Sequence, residues 1–318
     1  MKRRTTLVAL ILFLSVFGLD IAAQDEQAIK VETNLVSLGI SVRDRSGNYV
    51  TGLQKEHFRV YDNGKLKEVT LFSETEAPVS FGFVYDLHPT TSERTARVLG
   101  SIRAFTERIQ EEDDFFTVVF NERGSLNLDF VPSVEQVERH LSLGERGEPN
   151  SLYDAIDLAA EKLLERENLK KTLIIISDGK DRDSHHSYSA LSRRLKTLNL
   201  QIYAVILGDD TDWKYSDITL QRQPRSLDSD KTLDRAALDE LAKTSGGRSQ
   251  EPVADNLPAL TDIYERIALE MRRQYSIGFY PDDPDGKWHK IEVRIDHPIG
   301  ERRVSLTYRK GYQSKAVQ

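Results

Sequence analysis

The chain has 318 residues, of which 39% are hydrophobic, so it can bury one large core and a smaller one and is not a disordered polymer. Its formal net charge is −7 with acids and bases interspersed, so no basic stripe could neutralise phosphates, which argues against a nucleic-acid partner. It contains no cysteine, which excludes disulfides and a lipid-modified cysteine and leaves core packing to stabilise the chain.

The first residues read as a targeting segment. Lys2, Arg3 and Arg4 precede an apolar run from Leu7 to Leu19, and Ile21-Ala22-Ala23-Gln24 offers a small residue for cleavage after Ala23. The apolar run falls short of the roughly 20 residues that span a bilayer, so residues 1–23 are expected to be a removed signal peptide. The expectation is an exported protein, periplasmic or extracellular, with no stable membrane span after cleavage.

From Val36 the period is two: Val36, Leu38, Ile40 and Val42 share one face of a half-buried strand, with Ser37, Gly39, Ser41 and Arg43 on the other. Ser46-Gly47-Asn48 is a turn. Asp62-Asn63-Gly64 predicts a hairpin between Phe58/Val60 and Val69/Leu71, because Asn-Gly accepts the positive φ of a tight turn. At Val79 the pattern changes to a nearly continuous apolar run ending at Tyr85, as in a parallel strand buried on both faces.

A helical stripe follows (Val98, Ile102, Phe105, Ile109), then a strand over 115–120, a helix bearing Leu152, Ile156, Ala159 and Leu163, and a strand over 172–176. A helix bearing Leu191, Leu195 and Leu198, a strand over 202–207 and helices over 233–245 and 257–271 come next. Repeated strand–helix alternation with right-handed crossovers predicts a doubly wound, mostly parallel sheet of Rossmann-like α/β type. The stretch from Asp209 to Lys231, with Trp213 and Tyr215, reads as a long polar loop.

After Tyr275 the period returns to two, through Tyr275, Ile277 and Phe279, then Ile291, Val293 and Ile295, then Val304, Leu306 and Tyr308. Neither flank is large enough for a comfortable core of its own. The predicted organisation is therefore one small β-sandwich, built from residues 30–76 and 273–313, with an α/β domain over 77–272 inserted between them.

In an open parallel sheet, ligands bind at the carboxyl ends of the strands. Asp86 ends one buried strand, with His88 and Thr90 behind it; Ser177-Asp178-Gly179 ends another; Asn150-Ser151 precedes the helix of Leu152. Carboxylates with hydroxyl and amide oxygens are the donors a hard divalent cation requires. Asp86 as a cap and Asp178-Gly179 as a strand-exit turn are the plain alternatives. Asp181, Asp183, His185 and His186 also have metal-ligand chemistry, yet are expected to form a solvated loop.

An apolar strand ending in Asp, a hydroxyl-bearing loop, an LYDAI helix and an IIISDG strand end together resemble the von Willebrand factor type A family. The flanks VTGLQKEHFRVYDNGK and YSIGFYPDDPDGKWHKIEVRI narrow the likeness to a bacterial exported subfamily. The resemblance implies a non-catalytic recognition or adhesion module that holds Mg²⁺ at a metal-ion-dependent adhesion site and grips an acidic group on a protein partner. The family's Asp-x-Ser-x-Ser falls on Asp86, His88 and Thr90, its loop threonine on Asn150 and its second aspartate on Asp178. Asp86, Thr90, Asn150 and Asp178 are thus the expected metal donors, while His88, beside Pro89, breaks the motif and leaves a degenerate site.

Two other readings compete: a metal-independent assembly subunit of the cell envelope, and a haloacid-dehalogenase-like phosphatase. The phosphatase needs a second aspartate two residues after the first, where His88 stands. The targeting signal has a direct test: amino-terminal sequencing of the secreted or periplasmic fraction is expected to begin at Gln24, and an intact Met1 recovered from the cytoplasm would refute export.

Overall fold

The computed structural model of the protein describes residues 35–74, 77–86, 92–121, 124–128, 151–181, 184–207, 229–252, 256–282, 285–296 and 304–314. The expected signal segment 1–23, His88, Thr90, Asn150, Asp183, Trp213, Tyr215 and residues 209–228 of the predicted loop lie outside them.

β1 (Val36–Arg43) forms where the alternation predicts, with Val36, Leu38, Ile40 and Val42 buried on one face. β2 (Phe58–Asp62) and β3 (Lys65–Lys67) are joined by Asn63 at φ 48° and Gly64 at φ 83°, the left-handed pair that a tight Asn-Gly turn requires. The hairpin differs from expectation in its second arm. β3 stops at Lys67, and the chain crosses to the opposite sheet, where β4 (Leu71–Ser73) pairs with a carboxyl-terminal strand. Val69, at the crossing, points into the core shared by the two sheets.

The α/β unit follows as β5 (Val79–Asp86), α1 (Ser92–Thr106), β6 (Asp114–Asn121), β7 (Gly124–Leu128), α2 (Leu152–Leu164), β8 (Lys170–Ser177), α3 (Tyr188–Thr197), β9 (Gln201–Ile206), α4 (Ser229–Ser245), β10 (Arg248–Gln250) and α5 (Leu257–Arg272). The sheet order is β10-β9-β8-β5-β6-β7, parallel throughout except for β7, an antiparallel edge strand on β6 that is not among the expected elements. α4 starts at Ser229, so the last residues of the predicted loop are helical.

Alternate side chains of each strand feed opposite layers. Phe81, Phe83 and Tyr85 pack with Ile174, Tyr203, α1 and α5 on one face. Val84 packs with Phe116, Ile175, Ala204, α2, α3 and α4 on the other. Gly82 sits where Phe116 crosses the sheet: a Cβ there would lie 2.8 Å from the Phe116 ring.

The chain then returns to the sandwich through β11 (Tyr275–Phe279), β12 (Trp288–Ile295), β13 (Ser305–Thr307) and β14 (Gly311–Gln313). One sheet has the order β13-β1-β11-β4 and the other β14-β12-β2-β3, so each combines strands from both ends of the chain. Val36 pairs with Phe279 and Ile291 with Asp62, and Val36, Leu38, Phe58, Val60, Ile277, Phe279, Ile291 and Val293 share one core. The predicted sandwich, with the α/β unit inserted between β4 and β11, is the observed fold.

The second face of β1 is not a solvated face. It is covered by the α/β unit: Ser41 is fully buried and donates to Glu270 Oε1 at 3.1 Å. Glu270, on the inner side of α5 and fully buried, also accepts from Arg43 Nη2 at 3.0 Å and lies 2.5 Å from Arg248 Nη2. One carboxylate thus joins β1 of the sandwich to α5 and β10 of the α/β unit. A buried polar knot also lies inside the sandwich, where His289 Nδ1 meets Asp62 Oδ1 at 2.7 Å, its Nε2 meets Asp285 Oδ1 at 3.0 Å, and Tyr312 donates to Asp62 Oδ2 at 2.9 Å.

Removing the Glu270 charge leaves two partly buried guanidinium groups without their shared counter-charge. Glu270→Gln is expected to cost about 3–5 kcal/mol in chemical denaturation, and a change near zero would show the clamp to be dispensable. Burial works to lower the His289 pKa, but the hydrogen bonds from Asp285 and Asp62 outweigh it and raise the pKa above its ordinary 6.5. A raised histidine stabilises fully below its unfolded pKa and loses that contribution as pH climbs through the folded one. Stability is therefore expected to decline on alkalinisation above pH 6.5 in the wild type and to do so less in His289→Gln.

Candidate recognition site at the carboxyl edge of the sheet

β5 and β8 are adjacent and parallel, with Tyr85 beside Ile176, so their last residues reach the carboxyl edge together. Asp86 ends β5, fully buried, and accepts from Ser177 Oγ at 2.7 Å. The same hydroxyl accepts from Gly179 N–H at 3.0 Å, so it ties the turn after β8 to the carboxylate of β5. Gly179 adopts φ 90°, a conformation that glycine takes without a steric penalty. Asp178, also buried, accepts at Oδ1 from the Lys180 N–H at 3.0 Å, and its Oδ2 lies 3.6 Å from Lys180 Nζ.

Sequence reasoning therefore placed Asp86 and Asp178 on one edge, and the structure brings them to neighbouring strand ends. Thr90 and Asn150, the other expected donors, and His88 lie outside the described residues. Two carboxylates and the Ser177 hydroxyl are hard oxygen donors of the type Mg²⁺ takes. Lys180, which sequence reasoning passed over, alters the electrostatics because its ammonium beside Asp178 occupies part of the field a cation would use. Its position directly after Asp178-Gly179 was the available signal.

α2 enters the same edge through Ser151, an extended N-cap at φ −146° whose hydroxyl donates to Asp154 Oδ2 at 3.1 Å. The helix amides are served instead by the segment after β8: Tyr153 N–H donates to Asp181 Oδ1 at 3.2 Å and to Ser184 Oγ at 3.1 Å. Asp154, nearly buried in the first turn, accepts from the backbone N–H groups of His185 at 2.9 Å and His186 at 3.1 Å, and faces their Nδ1 atoms at 3.0 and 2.8 Å. Burial opposes its charge, but the hydrogen bonds from His185 and His186 hold its carboxyl well below the usual range. The segment expected to be a solvated loop thus has exposed imidazoles but a structural role, closing the amino end of α2. Among the described residues no group of three or more His, Cys, Asp or Glu is placed to hold a metal ion.

An open, mostly parallel sheet with helices on both faces defines a doubly wound α/β domain, a fold class in which ligands bind at the carboxyl ends of the strands. Residues 99–242 match the family model for the von Willebrand factor type A domain, and the chain carries a domain of that kind. No curated protein sequence matches the chain significantly. Among solved structures it is similar to a von Willebrand factor type A protein from Catenulispora acidiphila, at 9% identity and TM-score 0.42 over 91% of this chain and 75% of that one. It is similar to an aerotolerance-related membrane protein from Bacteroides fragilis, at 15% identity and TM-score 0.40 over 61% of this chain and 98% of that one. A third similar structure is the BatB protein from Bacteroides thetaiotaomicron, at 17% identity and TM-score 0.38, with the same two coverages of 61% and 98%.

Asp154→Ala is expected to destabilise the protein by about 1–3 kcal/mol at neutral pH, because the amides of His185 and His186 lose their acceptor. A depressed carboxyl stabilises above its unfolded pKa, and that contribution is lost as pH falls through the folded value. The gap between wild type and variant, followed by urea denaturation, should therefore begin to narrow below about pH 4 and shrink further as pH falls towards the depressed folded value.

Proposed function

We propose that the protein is an exported, non-catalytic recognition module that grips an acidic group of a protein partner at the carboxyl edge of its α/β sheet. The observation that carries this reading is that Asp86 and Asp178 stand at the carboxyl ends of adjacent strands, with the Ser177 hydroxyl joining Asp86 to the turn after β8. The match of residues 99–242 to the von Willebrand factor type A domain supports interaction rather than catalysis. The basic start and apolar run of residues 1–23 support export. Among the described residues no helix is long and apolar enough to cross a membrane.

Asp86, Asp178, Thr90 and Asn150 are the residues that would hold Mg²⁺. When bound, the ion would offer an open position to a carboxylate of the partner. The chain's own contribution is to orient Asp86 through Ser177 and to tune the charge at Asp178 through Lys180. A metal-independent assembly role is the second reading, favoured by that ammonium beside Asp178, which supplies part of the positive charge from within the chain.

Calorimetry with Mg²⁺, Mn²⁺ and Ca²⁺ separates the two. Metal-dependent recognition predicts a binding heat that Asp178→Ala abolishes and Lys180→Ala strengthens. It also predicts capture of an envelope partner that chelator reverses. Silence with all three ions, together with unimpaired partner capture by the Asp86→Ala/Asp178→Ala double variant, would move recognition off this edge.

A further inference from the structure

At the opposite, amino edge of the sheet, where the sandwich abuts the α/β unit, a cleft of about 160 Å³ opens. Its walls come from β1, β4 and β11 of the sandwich and from the first residues of β8 and β9. Leu71, Leu200 and Met271 give it an apolar side. Among its described lining residues, Lys170, Lys171 and Arg309 are cationic and none is acidic.

Arg309 is the unusual member. Arg43 and Arg248 reach the buried carboxylate of Glu270, and Arg272 reaches that of Asp113 at 3.1 Å. Arg309 reaches no carboxylate among the described residues. Its Nη1 donates only to neutral oxygens, Leu198 O at 3.5 Å and Asn199 Oδ1 at 3.2 Å, and its Nε is buried with no hydrogen-bond partner. Burial lowers its pKa to about 10, against a weak opposing effect of Tyr312. Lys171 likewise donates to backbone carbonyls, Arg166 O at 2.6 Å and Asn168 O at 2.5 Å, and feels Asp114 only through space. A partly buried guanidinium without a counter-ion leaves a positive field unanswered in the cleft, and a planar carboxylate is the group its fork matches.

We propose that this cleft binds a small organic carboxylate, with its head on Arg309, assisted by Lys171, and its apolar body along Leu71, Leu200 and Met271. A space of this size accommodates a benzene-sized body, which sets the ligand class as a short-chain or single-ring acid. The site is separate from the acidic edge and does not depend on the recognition reading.

The test is calorimetry on the mature full chain with acetate, hexanoate, benzoate and succinate at constant ionic strength. Benzyl alcohol and benzylamine serve as uncharged and cationic controls. Saturable binding of hexanoate or benzoate is expected, at least about tenfold tighter than benzyl alcohol, because only the carboxylate engages the guanidinium. Benzylamine should not bind. Arg309→Gln should abolish the response, Lys171→Gln should weaken it, and Asp178→Ala should leave it unchanged. Ser276→Tyr, which fills the cleft while keeping Arg309, should also abolish it and keeps the test valid if Arg309→Gln fails to fold. The proposal is overturned if no member of the acid panel binds saturably, if the alcohol binds as well as the acid, or if binding survives either Arg309→Gln or Ser276→Tyr.

Discussion

Glu270 is the carboxylate on which the arrangement of the two layers depends. It is fully buried, and it collects Ser41 and Arg43 from β1 and Arg248 from β10. A buried charge is tolerable only when paired and hydrogen-bonded, and here the partners come from two distant strands, β1 and β10. The contact is therefore a condition on geometry: β1, α5 and β10 must arrive together. Neighbouring contacts impose the same condition. Gln274 donates to Gln201 Oε1 at 2.9 Å, and Gln201 reaches Gly39 O at 3.5 Å, where a Cβ on Gly39 would collide with Gln274 at 2.4 Å.

This clamp explains why the sandwich occupies the amino edge and leaves the carboxyl edge clear. The chain leaves the sandwich at β4 and enters the sheet at the start of β5; it returns from the end of α5 straight into β11. Both connections are short, so the sandwich must sit where the strands begin. Asp86, which ends β5, and Asp178, directly after β8, then stand at the edge of the sheet away from the sandwich.

Much of this was legible in the sequence. Period-two runs such as Val36 to Val42 and apolar runs such as Val79 to Tyr85 report burial on one face or on two, and burial is what the fold organises. The inserted topology followed from the small size of each flank. Other features left weaker marks. β7 (Gly124–Leu128) pairs antiparallel with β6, and its short Leu126/Leu128 alternation is a faint signal beside the long apolar runs. The second arm of the hairpin was misplaced because Val69 and Leu71 alternate as a strand would, although the chain is crossing between sheets there. Glu270 stood at core spacing, three residues after Ile267, and a carboxylate in that stripe was the sign of a buried partner set.

At the candidate site, type and place were separable. The strand-end rule located Asp86 and Asp178, because position along a buried strand is a matter of periodicity. It did not reveal what those carboxylates touch. Ser177 falls within the IIISDG run and reads as a strand residue, yet its hydroxyl connects both strand ends. Lys180 reads as a solvated charge, yet it sits beside Asp178. Asp154 reads as an ordinary first-turn acid, favourable to the helix dipole, yet it organises His185 and His186. In each case the side chain's partner lies in another segment, and hydrophobic patterning carries no information about pairs. With no cysteine to staple the chain, such pairs join segments that hydrophobic packing alone would leave without a fixed partner.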